Sequence, residues 1–167
     1  MSLLDIKNVT KDFGGLKALH DVSLQIDEGE IISLIGPNGA GKTTLFNCIT
    51  GTMPPDSGSI RFQGTELLGL PPHEVARNGI ARTFQHIRLF NRMTVLDNVM
   101  VGALASGKST AGAKRAALEI IEFMGLSNWA NQEAQGLPLP LRKRLELARA
   151  LATQPKVLLL DEVMAGL

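Results

Sequence analysis

Residues 36–43 read GPNGAGKT, and this spacing of glycines before a lysine and a threonine is that of a phosphate cradle. Such glycines let backbone N–H groups close around an anion, and the N-terminus of a following helix adds its positive dipole end. Lys42 would set an ammonium on the outer phosphates, and Thr43 would turn its hydroxyl toward Mg²⁺. A second candidate lies at residues 157–162, VLLLDE, an apolar run that ends on Asp161 and Glu162. In an open α/β sheet, ligands gather at the C-terminal ends of the strands. Asp161 there can hold Mg²⁺ through water and Glu162 can polarise an attacking water, because phosphoryl transfer needs a placed nucleophile and charge neutralisation more than covalent help. Alone, VLLLDE is a strand ending in a solvated acidic turn. Beside the glycine loop it becomes the second half of a nucleotide site.

These residues need elements to carry them. Val22, Leu24 and Ile26 alternate with polar neighbours, which predicts a half-buried strand, followed by a turn at residues 27–30 (DEGE) and a hairpin opening the domain. Residues 31–35 (IISLI) predict a buried parallel strand leading into the loop. Leu45, Cys48 and Ile49 sit at i, i+3 and i+4 of a helix over 42–50 that Gly51 ends. A turn at 54–58 precedes a strand with Ile60 and Phe62 on one side, Pro72 starts a short helix that Gly79 ends, and residues 80–85 predict a strand. Thr94 and Asp97 open a helix over 95–104. Residues 105–113 (ASGKSTAGA) read as a flexible connection. Two helices follow, with Ala117, Ile120, Ile121 and Met124 on one face and Leu141, Leu145, Ala148 and Ala152 on the other helix's face, before a last strand over 156–161. No internal repeat is present.

Composition agrees with one soluble domain: 167 residues, 44% hydrophobic and 20% charged. The 17 basic and 16 acidic residues leave a formal charge of +1, which disfavours a polybasic nucleic-acid binder. Cys48 is the only cysteine, so a reducing compartment is expected, with neither an internal disulfide nor a CxxC pair. The first residues have no apolar stretch of signal-peptide length, and residues 157–160 are too few to span a bilayer.

Over all 167 residues this order of motifs resembles the nucleotide-binding subunit of ATP-binding cassette (ABC) transporters. Within that family, GPNGAGKTT, RTFQHIRLF, MTVLDNV, RKRLELARAL and DEVMAGL are most similar to the branched-chain amino acid importer group. Urea and lipopolysaccharide transport ATPases share most of these residues. The resemblance implies an α/β fold of the P-loop NTPase class: an ABC-ATPase core with an antiparallel N-terminal β part and a helical insertion. It divides the chain into a nucleotide-binding core with P-loop and Q-loop (1–93), a helical subdomain with a degenerate signature (94–152), and the Walker B strand with the start of the D-loop (153–167). Phe13 stands where the family stacks an aromatic ring on adenine. Gln85 matches the glutamine that touches Mg²⁺ or the attacking water and faces the membrane subunits.

The implied site is therefore Phe13, Gly36, Asn38, Gly39, Ala40, Gly41, Lys42, Thr43 and Thr44 around ATP, with Thr43, Gln85 and Asp161 about Mg²⁺. Lys42, Gln85 and Glu162 carry the catalysis, with Glu162 as base. The implied partners are a second ABC ATPase subunit, identical or homologous, the permease subunits of a membrane importer and, indirectly, a periplasmic or extracellular substrate-binding protein. The implied location is the cytoplasmic face of the membrane, and the implied activity is MgATP hydrolysis coupled to uptake of a hydrophobic amino acid.

Two departures stand out. Where the family carries LSGGQ, residues 137–141 read LPLPL. Proline has no N–H, and leucine side chains crowd a place that wants close backbone approach, so the composite site completed by this segment is expected to be weakened. Pro140 can still begin a helix. The sequence also stops at Leu167, ahead of the family's switch histidine, which predicts an incomplete C-terminal end and self-association. His20, His73 and His86 come too early to be that histidine, and no metal-like spacing joins them. The competing readings are a nucleotide-binding module without hydrolysis and a soluble ATPase of DNA repair or translation. The latter relatives tend to carry two cassettes or long coiled insertions, which do not fit this length.

Overall fold

In the computed structural model, residues 2–85 and 87–161 are described. Glu162 and His86 therefore lie outside the described residues. The chain divides into two units, Met1–Asn78 and Gly79–Leu167.

In the first unit, β1 (Leu4–Phe13) pairs antiparallel with β2 (Leu16–Ile26) on one edge and with β3 (Ser57–Phe62) on the other, and β4 (Thr65–Glu66) extends the sheet beyond β3. Leu4, Ile6 and Val9 of the central strand are all buried. Residues three apart should face opposite sides of a sheet. The register shifts between Ile6 and Val9, where Asn8 has φ 48° and donates its N–H to Ser23 Oγ at 3.0 Å, so the extra residue of a bulge returns Val9 to the core face. Ile60 and Phe62 are buried as their alternation predicts. The predicted alternation of Val22, Leu24 and Ile26 also holds, each half-buried between exposed neighbours. The helix α1 (Lys42–Ile49) buries Leu45, Cys48 and Ile49, and Gly51 follows with φ 70°. The helix α2 (Pro72–Arg77) starts on its proline and buries Val75.

One predicted element is absent. Residues 31–35 form no strand, and Ile31 and Ile35 are 97% and 92% exposed. A run of β-branched residues has the propensity for a strand but becomes one only when a neighbour takes its N–H and C=O groups. Among the described residues no strand pairs with it.

In the second unit, β5 (Ile80–Arg82) and β6 (Val157–Leu159) pair in parallel, each shorter than its apolar run suggested. Between them come α3 (Val95–Ala105), α4 (Thr110–Phe123) and α5 (Leu139–Ala152). Val99, Ala103, Ala113, Ala117, Ile121, Leu145, Ala148 and Ala152 form their shared core, with Ile120, Met124 and Leu141 packed against it. Fully burying a side chain the size of Ile121 or Leu145 is worth about 1.5–3 kcal/mol. Thr94 caps α3 as expected: its Oγ1 accepts the Asp97 N–H at 3.0 Å and donates to Asp97 Oδ2 at 2.6 Å.

The expected flexible connection over 105–113 is corrected by the structure. Ser109 caps α4, accepting the Gly112 N–H, and Ala113 is fully buried, so small residues that read as linker are the first turn of a helix pressed against the core. Pro140 does lie in the first turn of α5, whose cap, Pro138, makes no side-chain hydrogen bond.

Candidate functional site

The loop over 36–43 ends where α1 begins, so the first amides of that helix open toward the loop. Gly39 and Gly41 have φ 83° and 86°, a region that other residues enter only with strain. At Gly41 there is a second reason for glycine. A Cβ there would lie 2.2 Å from the Ala18 carbonyl oxygen and 3.1 Å from Leu19 Cδ2, so the loop can close against β2 only without a side chain. Lys42 Nζ donates to the carbonyls of Gly36 at 2.6 Å and Pro37 at 2.8 Å, which holds the ammonium inside the loop it follows. An ammonium has three donors, and these two bonds leave one for a ligand oxygen. Asn38, Ala40 and Thr43 are exposed, and Thr44 is half-buried. The first turn of α1 carries no acidic side chain to compete with an anion.

Phe13 closes β1 opposite Leu16 and is 46% exposed. Lys11 Nζ stands 5.7 Å from its ring centre and is paired to Asp56 at 2.7 Å. Ala18, two residues past Leu16 on β2, is the backbone against which Gly41 closes, so one hairpin end presents the ring and the wall of the loop.

In the second unit the parallel pairing of β5 and β6 sends both strands toward the same end of their small sheet. Gln85 lies three residues past β5, Asp161 two past β6. Gln85 is exposed. Asp161 is 9% exposed, its Oδ2 accepts from Arg82 Nη2 at 2.8 Å, and its N–H donates to the buried Thr83 Oγ1 at 3.2 Å. Arg82 pairs across from Leu159 in the ladder, and Asp161, two residues on, falls on the same face. Sequence reasoning missed Arg82. Its signal is a charged residue inside a short strand, which must find a partner if buried, but the partner emerges only from the register.

The lysine loop and Phe13 thus belong to the first unit, and Gln85 and Asp161 to the second. Among the described residues no group of three His, Cys, Asp or Glu side chains could hold a metal ion by itself. His20 and His73 are exposed, and His20 Nδ1 lies 3.8 Å from Asp21 Oδ2.

The sequence profile described as ABC transporter matches residues 19–165. The chain is 42% identical to the high-affinity branched-chain amino acid transport ATP-binding protein BraF of Pseudomonas aeruginosa, over 99% of this chain and 71% of that protein. It is 44% identical to the LivG protein of the same description from Salmonella typhimurium, with the same coverage. Among solved structures, the ADP conformation of an ATP-binding cassette of an ABC transporter superposes with a TM-score of 0.87 at 36% identity, covering 100% of this chain and 71% of that one. No helix among the described residues is long and apolar enough to cross a membrane.

Proposed function

The chain belongs to the ABC transporter family, and on that premise we propose that it is the ATP-binding subunit of an importer, coupling MgATP hydrolysis to uptake of branched-chain or other hydrophobic amino acids. The observation that carries its nucleotide-binding part is the Lys42 ammonium held within its own glycine loop at the start of α1, and the cargo rests on the likeness to BraF and LivG. Phosphate oxygens entering the loop would meet that ammonium and the first amides of α1, while the Phe13 ring offers a face to adenine.

Mg²⁺ fits the donors present. They are hard oxygens, and their small number suits an ion that keeps waters and binds largely through its nucleotide's phosphates. The family resemblance assigns it to Thr43 of the first unit and to Gln85 and Asp161 of the second, each of which supplies a hard oxygen. Arg82 occupies Asp161 Oδ2, which leaves Oδ1 for that contact. When bound, the ion neutralises charge on the β- and γ-phosphates. Gln85 would align a water, Glu162 would take its proton as the oxygen bonds to the γ-phosphorus, and the bond to the β-phosphate oxygen would break with its electron pair leaving on ADP. Lys42 would stabilise the charge that develops on the transferring oxygens.

A second subunit of the same kind, permease subunits at the cytoplasmic face, and an external substrate-binding protein complete the proposed assembly. The degenerate segment over 137–141 favours slow turnover. Pro138 and Pro140 cannot donate from their nitrogens where such a partner's phosphate would approach.

Calorimetric titration with a non-hydrolysable ATP analogue and Mg²⁺ tests the cradle. Saturable binding weakened about tenfold or more by Lys42→Ala is expected, since a hydrogen bond to a charged group is worth about 1.5–3 kcal/mol. Equal affinity in both proteins, or no binding by either, would overturn the reading.

A further inference from the structure

The ladder between β1 and β3 ends at Thr10 and Ser57, short of the Phe13 end of β1. Beyond that point the outer edge of β1 is held by Asp56, which stands just ahead of β3. The two oxygens of its carboxylate take different donors: Oδ1 accepts from Lys11 Nζ at 2.7 Å, and Oδ2 accepts the Asp12 N–H at 2.6 Å. Its own N–H donates to the Thr10 carbonyl at 2.9 Å. Asp56 therefore grips residues 10, 11 and 12 in turn, and its side chain takes the backbone donor that a longer β3 would have paired.

The grip carries on to the ring. Asp12 Oδ1 accepts the Gly15 N–H at 2.7 Å, across a two-residue turn in which Gly14 and Gly15 have φ 60° and 99°. That turn joins Phe13 to Leu16, its partner in the register. The Lys11 ammonium, held by Asp56, lies over the Phe13 ring at 5.7 Å from its centre, within the range of a cation–π contact. The ammonium takes one face of the ring, yet Phe13 stays 46% exposed. The charges of Lys11 and Asp56 also reach the buried thiol of Cys48 on α1, so the pair lies close to the helix that starts with Lys42. The Asp56 side chain is 45% exposed, and an ion pair this open to water adds little to stability. What it supplies is a fixed position.

We infer that Asp56 is a positioning residue for the base: by holding Lys11 and the Asp12 N–H, it fixes the end of β1 so that the Phe13 ring is set in place before a purine arrives. This rests on the nucleotide-binding reading above, in which Phe13 offers its face to adenine. A ring ordered in advance gives up less freedom on binding, so more of the stacking energy appears as affinity. The effect is confined to the base, because the phosphates are met by Lys42 and the first amides of α1.

The test is calorimetric titration of the whole chain with a non-hydrolysable ATP analogue and with tripolyphosphate, each with Mg²⁺. The wild type is compared with Asp56→Ala, Asp56→Asn, Phe13→Ala, the double variant Asp56→Ala with Phe13→Ala, and Lys42→Ala. Loss of base stacking should make Phe13→Ala about tenfold weaker for the analogue. Asp56→Ala should weaken the analogue about fivefold and leave tripolyphosphate, which has no base, within about twofold of wild type. Asp56→Asn keeps an oxygen for the Asp12 N–H and should recover most of the loss. Because Asp56 acts through the ring, its removal should add less than about twofold to Phe13→Ala. Wild-type affinity for the analogue in Asp56→Ala or in Phe13→Ala would overturn the inference. So would equal losses for both ligands, which would mark a merely structural acid, or a full additional loss in the double variant. If the wild type binds the analogue no more tightly than Lys42→Ala does, the nucleotide reading fails by itself. The hold on β1 is then decided by amide hydrogen exchange: Asp12 and Gly15 exchanging about tenfold faster in Asp56→Ala and near the wild-type rate in Asp56→Asn supports it, and unchanged exchange overturns it.

Discussion

Glu146 shows how one side chain can be costly to the fold and still be held in place. Burial pushes its carboxyl above the ordinary value of 4.5, against the downward pull of the Arg88 and Phe84 backbone bonds and of the Arg149 and Arg88 charges. A carboxyl whose folded value exceeds its unfolded one binds more protons in the folded state between the two, so its contribution to stability falls as pH rises through that window. Glu146→Gln removes this dependence. The variant should therefore melt above the wild type at pH 7, with the gap closing as pH falls to about 4.5. A gap of constant size across that range in paired melting curves would show that the carboxyl's burial is not its source. Asp56 has the opposite sign: Lys11 and the Asp12 N–H lower its carboxyl, so what it adds is lost on acidification. It is common to both proteins and cancels in the difference. At this scale the place of Lys42, at the start of α1 behind a glycine loop, was legible, because it follows from local spacing. Glu146 and Arg82 were not, because their partners lie 58 and 79 residues away.

Elements are decided by what they pack against. The spacing of apolar residues placed α1, α3, α4 and α5 within a few residues of their observed bounds, because a helix satisfies its own backbone and needs only a face to bury. Strands depend on others, and residues 31–35 stand without a ladder despite their composition. Glycine within α3 illustrates a contact that no periodicity announces. A Cβ on Gly102 would sit 2.3 Å from the Arg149 carbonyl oxygen and 3.0 Å from Ala152 Cβ, so α3 and α5 approach through the missing side chain. Gly102→Ala should cost about 1–3 kcal/mol by overpacking, more than the gain in helix propensity returns. Urea unfolding of the two proteins measures this, and equal or greater stability in the variant would mean the helices separate freely. That close approach also places the backbone of Arg149, whose Nη2 donates to the Arg88 carbonyl.

At the scale of the whole molecule, Ile31, Ile32, Leu34 and Ile35 form an exposed apolar run with which no strand pairs among the described residues, a template for association with another copy. Concentration-dependent self-association is expected in sedimentation, and Ile31→Lys with Ile35→Lys should reduce it. The same weight-average mass for wild type and variant across concentrations would remove that run as the cause. The family, the glycine loop that leads into α1 and the helical segments were determined by the sequence itself, since each rests on residues close together along the chain whose spacing or periodicity is local. Tertiary structure decided the bulge that turns Val9 inward, the pairing of Arg82 with Asp161, the grip of α5 on Arg88 and the fate of residues 31–35. Each of those depends on which distant backbone or charge arrives beside a residue, and only the folded register brings them together.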